Sequence, residues 1–129
     1  MKNVLIVLVV LLCACSEKSE VEKRYIGKWS WDVSKNGYRE AGYLDLRKDG
    51  KYTYSISSWN PSEKLSETFE DHVYEWYLKD GKVCLKRGQN ESGFGDKCWW
   101  NAVVELSGNP SIEFDGVFLT GRIKATKNE

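Results

Sequence analysis

The sequence predicts an all-β chain built as a single eight-stranded antiparallel up-and-down barrel, with a two-sheet β-sandwich as the alternative. Three observations lead there. From Tyr25 onward apolar and polar residues alternate with period two, the repeat of a strand that buries one face. Asp-Gly pairs at 49–50, 80–81 and 115–116, and a further turn at Ser107-Gly108-Asn109-Pro110, punctuate those runs, because tight hairpins need the positive φ that glycine tolerates. The composition also favours strands, with two prolines against six Trp, seven Tyr and four Phe among 129 residues.

The first run sets Tyr25, Gly27, Trp29, Trp31 and Val33 against Lys28, Ser30 and Asp32. The second sets Leu44 and Leu46 against Asp45 and Arg47. The third sets Tyr52, Tyr54 and Ile56 against Lys51, Thr53 and Ser55. Then come Tyr74, Trp76 and Leu78; Val83 and Leu85, opposed by Lys82 and Lys86; and Trp100, Ala102, Val104 and Leu106. Ile112 with Phe114, then Val117, Leu119 and Ile123, supply the last two strands. Residues 62–71 (SEKLSETFED) read as a loop or short helix, since Leu65 and Phe69 lie four apart. Joining consecutive hairpins and closing the sheet removes its exposed edges. Nine aromatic residues then point inward: Tyr25, Trp29, Trp31, Tyr52, Tyr54, Tyr74, Trp76, Trp100 and Phe114. So many rings go far toward filling a barrel of this size, which leaves at most a shallow pocket at an open mouth.

Ahead of these strands, Lys2 and the apolar run from Val4 to Leu12 fit the n- and h-regions of a signal peptide. A membrane-spanning helix needs roughly 20 apolar residues, so this run is too short to span. Leu12-Cys13-Ala14-Cys15 resembles the bacterial lipobox. The resemblance implies cleavage before Cys15, acylation of its thiol and anchoring to a membrane through the acyl chains. Ser16 in the next position implies sorting to the outer membrane, facing the periplasm of the cell envelope. The expected organisation is a signal peptide over 1–14, a lipidated flexible tether over 15–24, the barrel over 25–126 and a disordered tail over 127–129.

Removing fourteen residues from 129 leaves 115, the size of one domain. Without Lys2, 18 basic side chains face 19 acidic ones, and no basic stripe offers an electrostatic footprint for nucleic acid. Of the four cysteines, Cys84 and Cys98 lie beyond the anchor and pair most simply as a disulfide in an oxidising envelope. Strand parity puts Cys84 with the polar Lys82 and Lys86 but Cys98 with the apolar Trp100. The pairing therefore requires a bulge near Cys98, or irregular pairing there.

Gly27-Lys28-Trp29 resembles the G-x-W signature of lipocalin-like (calycin) barrels. Tyr43-Leu44-Asp45-Leu46 with Asp49-Gly50-Lys51-Tyr52-Thr53-Tyr54 is similar to the second hairpin of small bacterial members of that group. The resemblance implies that Gly27 and Trp29 form a plug at the closed end and that Arg122 packs across the indole.

Chemistry-bearing patterns are sparse. The single His72 beside Glu70 and Asp71 reads as a strand-start histidine near solvent, since serine is abundant enough to supply a triad nucleophile by chance, and Glu67, Glu70 and Asp71 read as a solvated loop. The glycines of 88–96 lack the Gly-Lys-Ser/Thr of a phosphate loop. No zinc or calcium spacing occurs. The expectation is a protein that is not an enzyme and uses no cofactor or metal. It would serve as a binding module for an envelope protein, such as an inhibitor or immunity protein of an envelope enzyme. The alternative is a carrier of a lipid or other small hydrophobic ligand. Trp59 and Phe94, each in a loop, are the candidate binding anchors.

Overall fold

A short helix, α1 (Glu20–Lys23), precedes nine strands. These are β1 (Gly27–Lys35), β2 (Tyr38–Leu46), β3 (Tyr52–Trp59), β4 (Lys64–Phe69), β5 (Trp76–Lys79), β6 (Lys82–Leu85), β7 (Lys97–Val104), β8 (Pro110–Asp115) and β9 (Arg122–Asn128). The computed structural model describes residues 18–70, 74–87, 95–118 and 121–128. The strands form one curled, barrel-like antiparallel sheet in the order β4-β3-β2-β1-β9-β8-β7-β6-β5. It is a single continuous sheet, not a two-sheet sandwich.

Among the described residues there are nine strands where eight were expected, and the addition is β4. It occupies residues read as loop or helix and pairs with β3 from Tyr54↔Phe69 to Trp59↔Lys64. Leu65, Glu67 and Phe69 share one face of it, and the charged middle member disguises the alternation. Antiparallel pairing along the chain from β1 to β4, and back from β9 to β5, makes β4 and β5 run in the same sense. They are the two ends of the sheet. A single bridge, Lys51↔Glu75, with Trp76 N–H donating to Gly50 O at 3.0 Å, ties β3 to the start of β5.

Call the end of the sheet that holds residue 27 the base and the other the mouth. The turns at 47–51, 80–81 and 105–109 and the end of β9 lie at the base. The hairpins at 36–37 and 60–63 and residues 116–118 lie at the mouth. Asp80 and Gly81 both adopt positive φ, 52° and 72°, as the Asp-Gly pair predicts. Asn36 and Gly37 do the same, at 55° and 84°, and form a hairpin turn not singled out above.

The inward faces agree with the alternation. Of the nine aromatics expected inside, all but the half-buried Tyr74 are buried. They pack with Leu44, Leu46, Val83, Leu85, Ile112 and Ile123 into one core. Trp31 takes its place because Gly42 stands opposite it. A Cβ there would meet Ser55 O at 2.1 Å and the Trp31 ring at 2.9 Å. Gly42→Ala is therefore expected to lower unfolding free energy by about 2–3 kcal/mol in urea titration.

Cys84 and Cys98 are joined by a disulfide, with Cα atoms 4.2 Å apart. The parity conflict is resolved by a bulge: Val83 pairs with Trp100 but Leu85 with Lys97, so Cys98 and Trp99 together oppose Cys84. Replacing both cysteines with alanine is expected to cost about 3 kcal/mol, read as a lowered urea midpoint.

Two boundaries differ from expectation. The segment expected as tether is ordered from Lys18: Ser19 and Glu22 form a reciprocal capping box on α1, and Glu22 Oε2 accepts from Leu78 N–H at 3.0 Å. At the other end, Lys127 and Asn128, expected as tail, pair with Trp29 and Lys28 of β1. Among the described residues no helix is long and apolar enough to cross a membrane.

Candidate functional site

Two features set the mouth half apart from the packed base. The first is a gap between β7 and β8. Their ladder covers only Asn101↔Glu113 to Val104↔Pro110. Above it the bulged half of β7 stays with β6 and leaves β8. A cavity of about 570 Å3 lies there. Glu40, Ile56 and Phe114 line it from the inward faces, and Trp99, Asp115 and Arg122 from the outward side. Its volume falls within the range of small-molecule pockets.

Each wall has a local cause. Trp99 follows Cys98 in the bulge, and its ring stands half-exposed at 54 %. It stacks on the Lys97 ammonium, whose Nζ is 4.2 Å from the ring centroid. Phe114 meets Trp31 edge-on at 4.7 Å, and the buried Trp31 indole N–H has no hydrogen-bond acceptor among the described residues. Glu40, on the inward face of β2, is buried and accepts from Phe118 N–H at 2.7 Å, which holds the β8–β9 hairpin over the cavity.

The second feature is a polar cluster along the seam between the two ends of the sheet. The bulge turns Lys97 inward, leaving it 6 % exposed. Its Nζ donates to Glu67 Oε1 at 2.5 Å and to the Tyr54 hydroxyl at 3.0 Å. Tyr54 in turn donates to Glu67 at 2.6 Å, and Arg87 lies 3.6 Å from the same carboxylate oxygen. Tyr52 donates across the seam to Lys86 O at 2.5 Å.

Burial pushes the Glu67 carboxyl up, but hydrogen bonds from Lys97 and Tyr54 and the charges of Lys97 and Arg87 outweigh it, so its pKa falls below the ordinary 4.5. Burial likewise lowers the Lys97 ammonium, against the opposing pull of Glu67. Burial, then the hydrogen bond to Glu67, raises the Tyr54 phenol. The cluster is a buried cation held by two oxygens and offers no free nucleophile. Among the described residues no group of three His, Cys, Asp or Glu is placed to hold a metal ion.

The residues expected to act separate into distinct places. Gly27 and Trp29 lie at the base, where Trp29 is buried and its Nε1 donates to Tyr25 O at 2.9 Å. The cation across that indole is Lys127, at 5.8 Å, not Arg122. The register explains it: Trp29 pairs with Lys127, and Arg122 lies five residues further along β9, about 16 Å away. Arg122 instead faces Glu113 and Asp115 at 3.7 and 3.9 Å. Gly27, at φ 142°, leaves room for the Lys127 stem, which a Cβ would meet at 2.6 Å.

Trp59 is no free anchor. Its ring lies between the Arg39 guanidinium, at 4.7 Å, and the Lys64 ammonium, at 5.1 Å. Glu67 belongs to the seam cluster and not to a solvated loop. Phe94, His72 and Cys15 lie outside the described residues. Sequence reasoning missed Trp99 and Lys97. The signal was the Trp99-Trp100 pair, since two adjacent tryptophans on a strand cannot both face inward.

Glu67 depends on pH in a defined direction. Because its folded pKa is depressed, its contribution is present above the ordinary value of 4.5 and is lost as the pH falls through the lower folded value. Urea titrations between about pH 7 and pH 3 are expected to show this loss, and Glu67→Gln to flatten it. At neutral pH Glu67→Gln is expected to cost about 1–2 kcal/mol, because a buried ammonium loses its counter-charge, whereas Lys97→Met stays within about 1 kcal/mol of the parent.

Compared with protein-family models, curated proteins and solved structures, the chain matches none of them.

Proposed function

We propose that this protein is a lipid-anchored envelope lipoprotein, held by acyl chains on Cys15 in the outer membrane and facing the periplasm. Its domain acts as a non-catalytic binding module through the gap between β7 and β8. The occupant is an apolar group presented by an envelope protein, consistent with an inhibitor or immunity protein of an envelope enzyme. One observation carries the reading: an exposed tryptophan stands beside a cavity of about 570 Å3 with apolar walls at Ile56 and Phe114. Aromatic residues next to pockets are the usual anchors of protein interfaces. Lys97, the disulfide and the bulge hold Trp99 in place, so little ordering cost attends binding.

The cavity volume also favours a second occupant, a small hydrophobic ligand carried in a calycin-like manner. The two readings separate in one experiment on acylated protein purified from its own envelope. Native mass spectrometry reports a co-purifying small molecule, and affinity capture reports a protein partner. Trp99→Ala is expected to weaken capture of the partner by about 30-fold, the cost of losing one interface anchor. Trp59→Ala, away from the gap, is expected to leave it unchanged. Equal capture by the parent and Trp99→Ala would remove the gap as the binding surface.

A further inference from the structure

The base carries a set of features that the mouth and its cavity do not use. The N-terminal segment is fastened across it. Lys18 donates to Trp76 O and lies over the Trp76 ring at 4.5 Å, Glu22 accepts from Leu78 N–H, and the Arg24 guanidinium donates to Gly108 O. The described chain therefore begins at the base. Three residue steps separate Lys18 from Cys15, a reach of about 10 Å even when fully extended. If Cys15 holds acyl chains in a bilayer, the base cannot stand further from the headgroups than that.

The surface of the base suits such a position. Leu106, at the tip of the β7–β8 turn, is 111 % exposed; Val104, two residues before it, and Val21, on α1, are 51 % and 57 % exposed. These are not scattered residues: the bond from Arg24 to Gly108 joins α1, which bears Val21, to the turn that bears Leu106. Lys23, Arg24, Lys48, Lys79 and Lys127 lie exposed at the same end, against Glu20, Asp49 and Asp80. An apolar tip within a ring of cations matches the layering of an anionic bilayer surface, with hydrocarbon beneath phosphate.

We propose that the base is a membrane-contact surface. Leu106 and Val21 dip into the lipid interface, the lysines meet lipid phosphates, and the cavity gap is directed away from the bilayer. Nine residues of β1 span about 25–30 Å, so the mouth stands at roughly that height above the headgroups. The proposal rests on the Cys15 anchor put forward above and adds the surface that touches the lipid.

The test uses the acylated full chain in vesicles of phosphatidylethanolamine and phosphatidylglycerol, doped with a phospholipid bearing a photoactivatable diazirine near its glycerol. After irradiation and proteolysis, lipid adducts are expected on the peptides spanning 18–24 and 104–110, and not on those spanning 35–38, 59–64 or 115–118. Leu106→Glu alters a side chain that makes no core contact. It is expected to leave thermal unfolding unchanged while lowering adducts on 104–110 by about tenfold. Adducts spread evenly, concentrated at the mouth or indifferent to Leu106→Glu overturn the contact surface. An intact mass without acyl chains overturns the Cys15 anchor and the surface together, so the two failures are distinguishable.

Discussion

The described strands run antiparallel in one curled, barrel-like sheet, so its two end strands, β4 and β5, point in the same sense. They make no ladder with each other. The wall would be open along that line were it not crossed by one backbone bridge and several side chains. The seam is held by the Lys51↔Glu75 bridge, by Tyr52 bonding to Lys86 O and by Lys97 bonding to Glu67 and Tyr54. Phe69 of β4 adds an apolar contact, stacking on Tyr52 at 5.2 Å and on Tyr54 at 5.9 Å. These interactions replace a backbone ladder, and the mouth half depends on them.

The bulge on β7 is the counterpart of that seam. By inserting one residue opposite Cys84 it does three things at once. It brings Cys98 to the same face as Cys84, it turns Lys97 inward to reach Glu67, and it sends Trp99 outward beside the gap. Without it Lys97 would face solvent, and Glu67 and Tyr54 would share a half-buried site with no cation from β7. The disulfide fixes the bulge from outside the sheet while the ion pair fixes it from within. A local irregularity thus sets both how the seam closes and where the exposed aromatic stands.

Period two was enough to read most of the wall. Runs such as Trp29-Ser30-Trp31 and Tyr52-Thr53-Tyr54 mark the inward face without ambiguity, because an aromatic every second residue has no comparable helical reading. β4 escaped for a physical reason: its inward middle position is Glu67, stabilised by a lysine thirty residues away that no local pattern can reveal. The bulge was legible only as a contradiction, since a disulfide between opposite faces demands an extra residue somewhere nearby. Arg122 failed as a plug because register, not residue type, decides which β9 cation lies over Trp29. The ordered N-terminal segment was legible in principle, since Ser19-Glu20-Val21-Glu22 is a capping-box pattern. Its charge concealed it, because charged side chains here bond the barrel rather than water.

The division between base and mouth follows from what fills each. At the base, Tyr25, Trp29, Leu46 and Trp76 are buried, and Lys18 and Lys127 lay their stems and charges over the indoles, closing the end against solvent. At the mouth the inward positions turn polar or small: Glu40, Gly42 and Ser58 on β2 and β3, with Glu67 on β4. Carboxylates and glycine cannot fill the volume that Trp and Leu fill, so the strands there are held by specific bonds and not by dense packing. Space then remains where β7 and β8 separate. The cavity is thus a consequence of inward residue choice along three strands together with the bulge. Filling it by evolution or design would require replacing Glu40, the inward carboxylate that lines it and bonds Phe118 N–H.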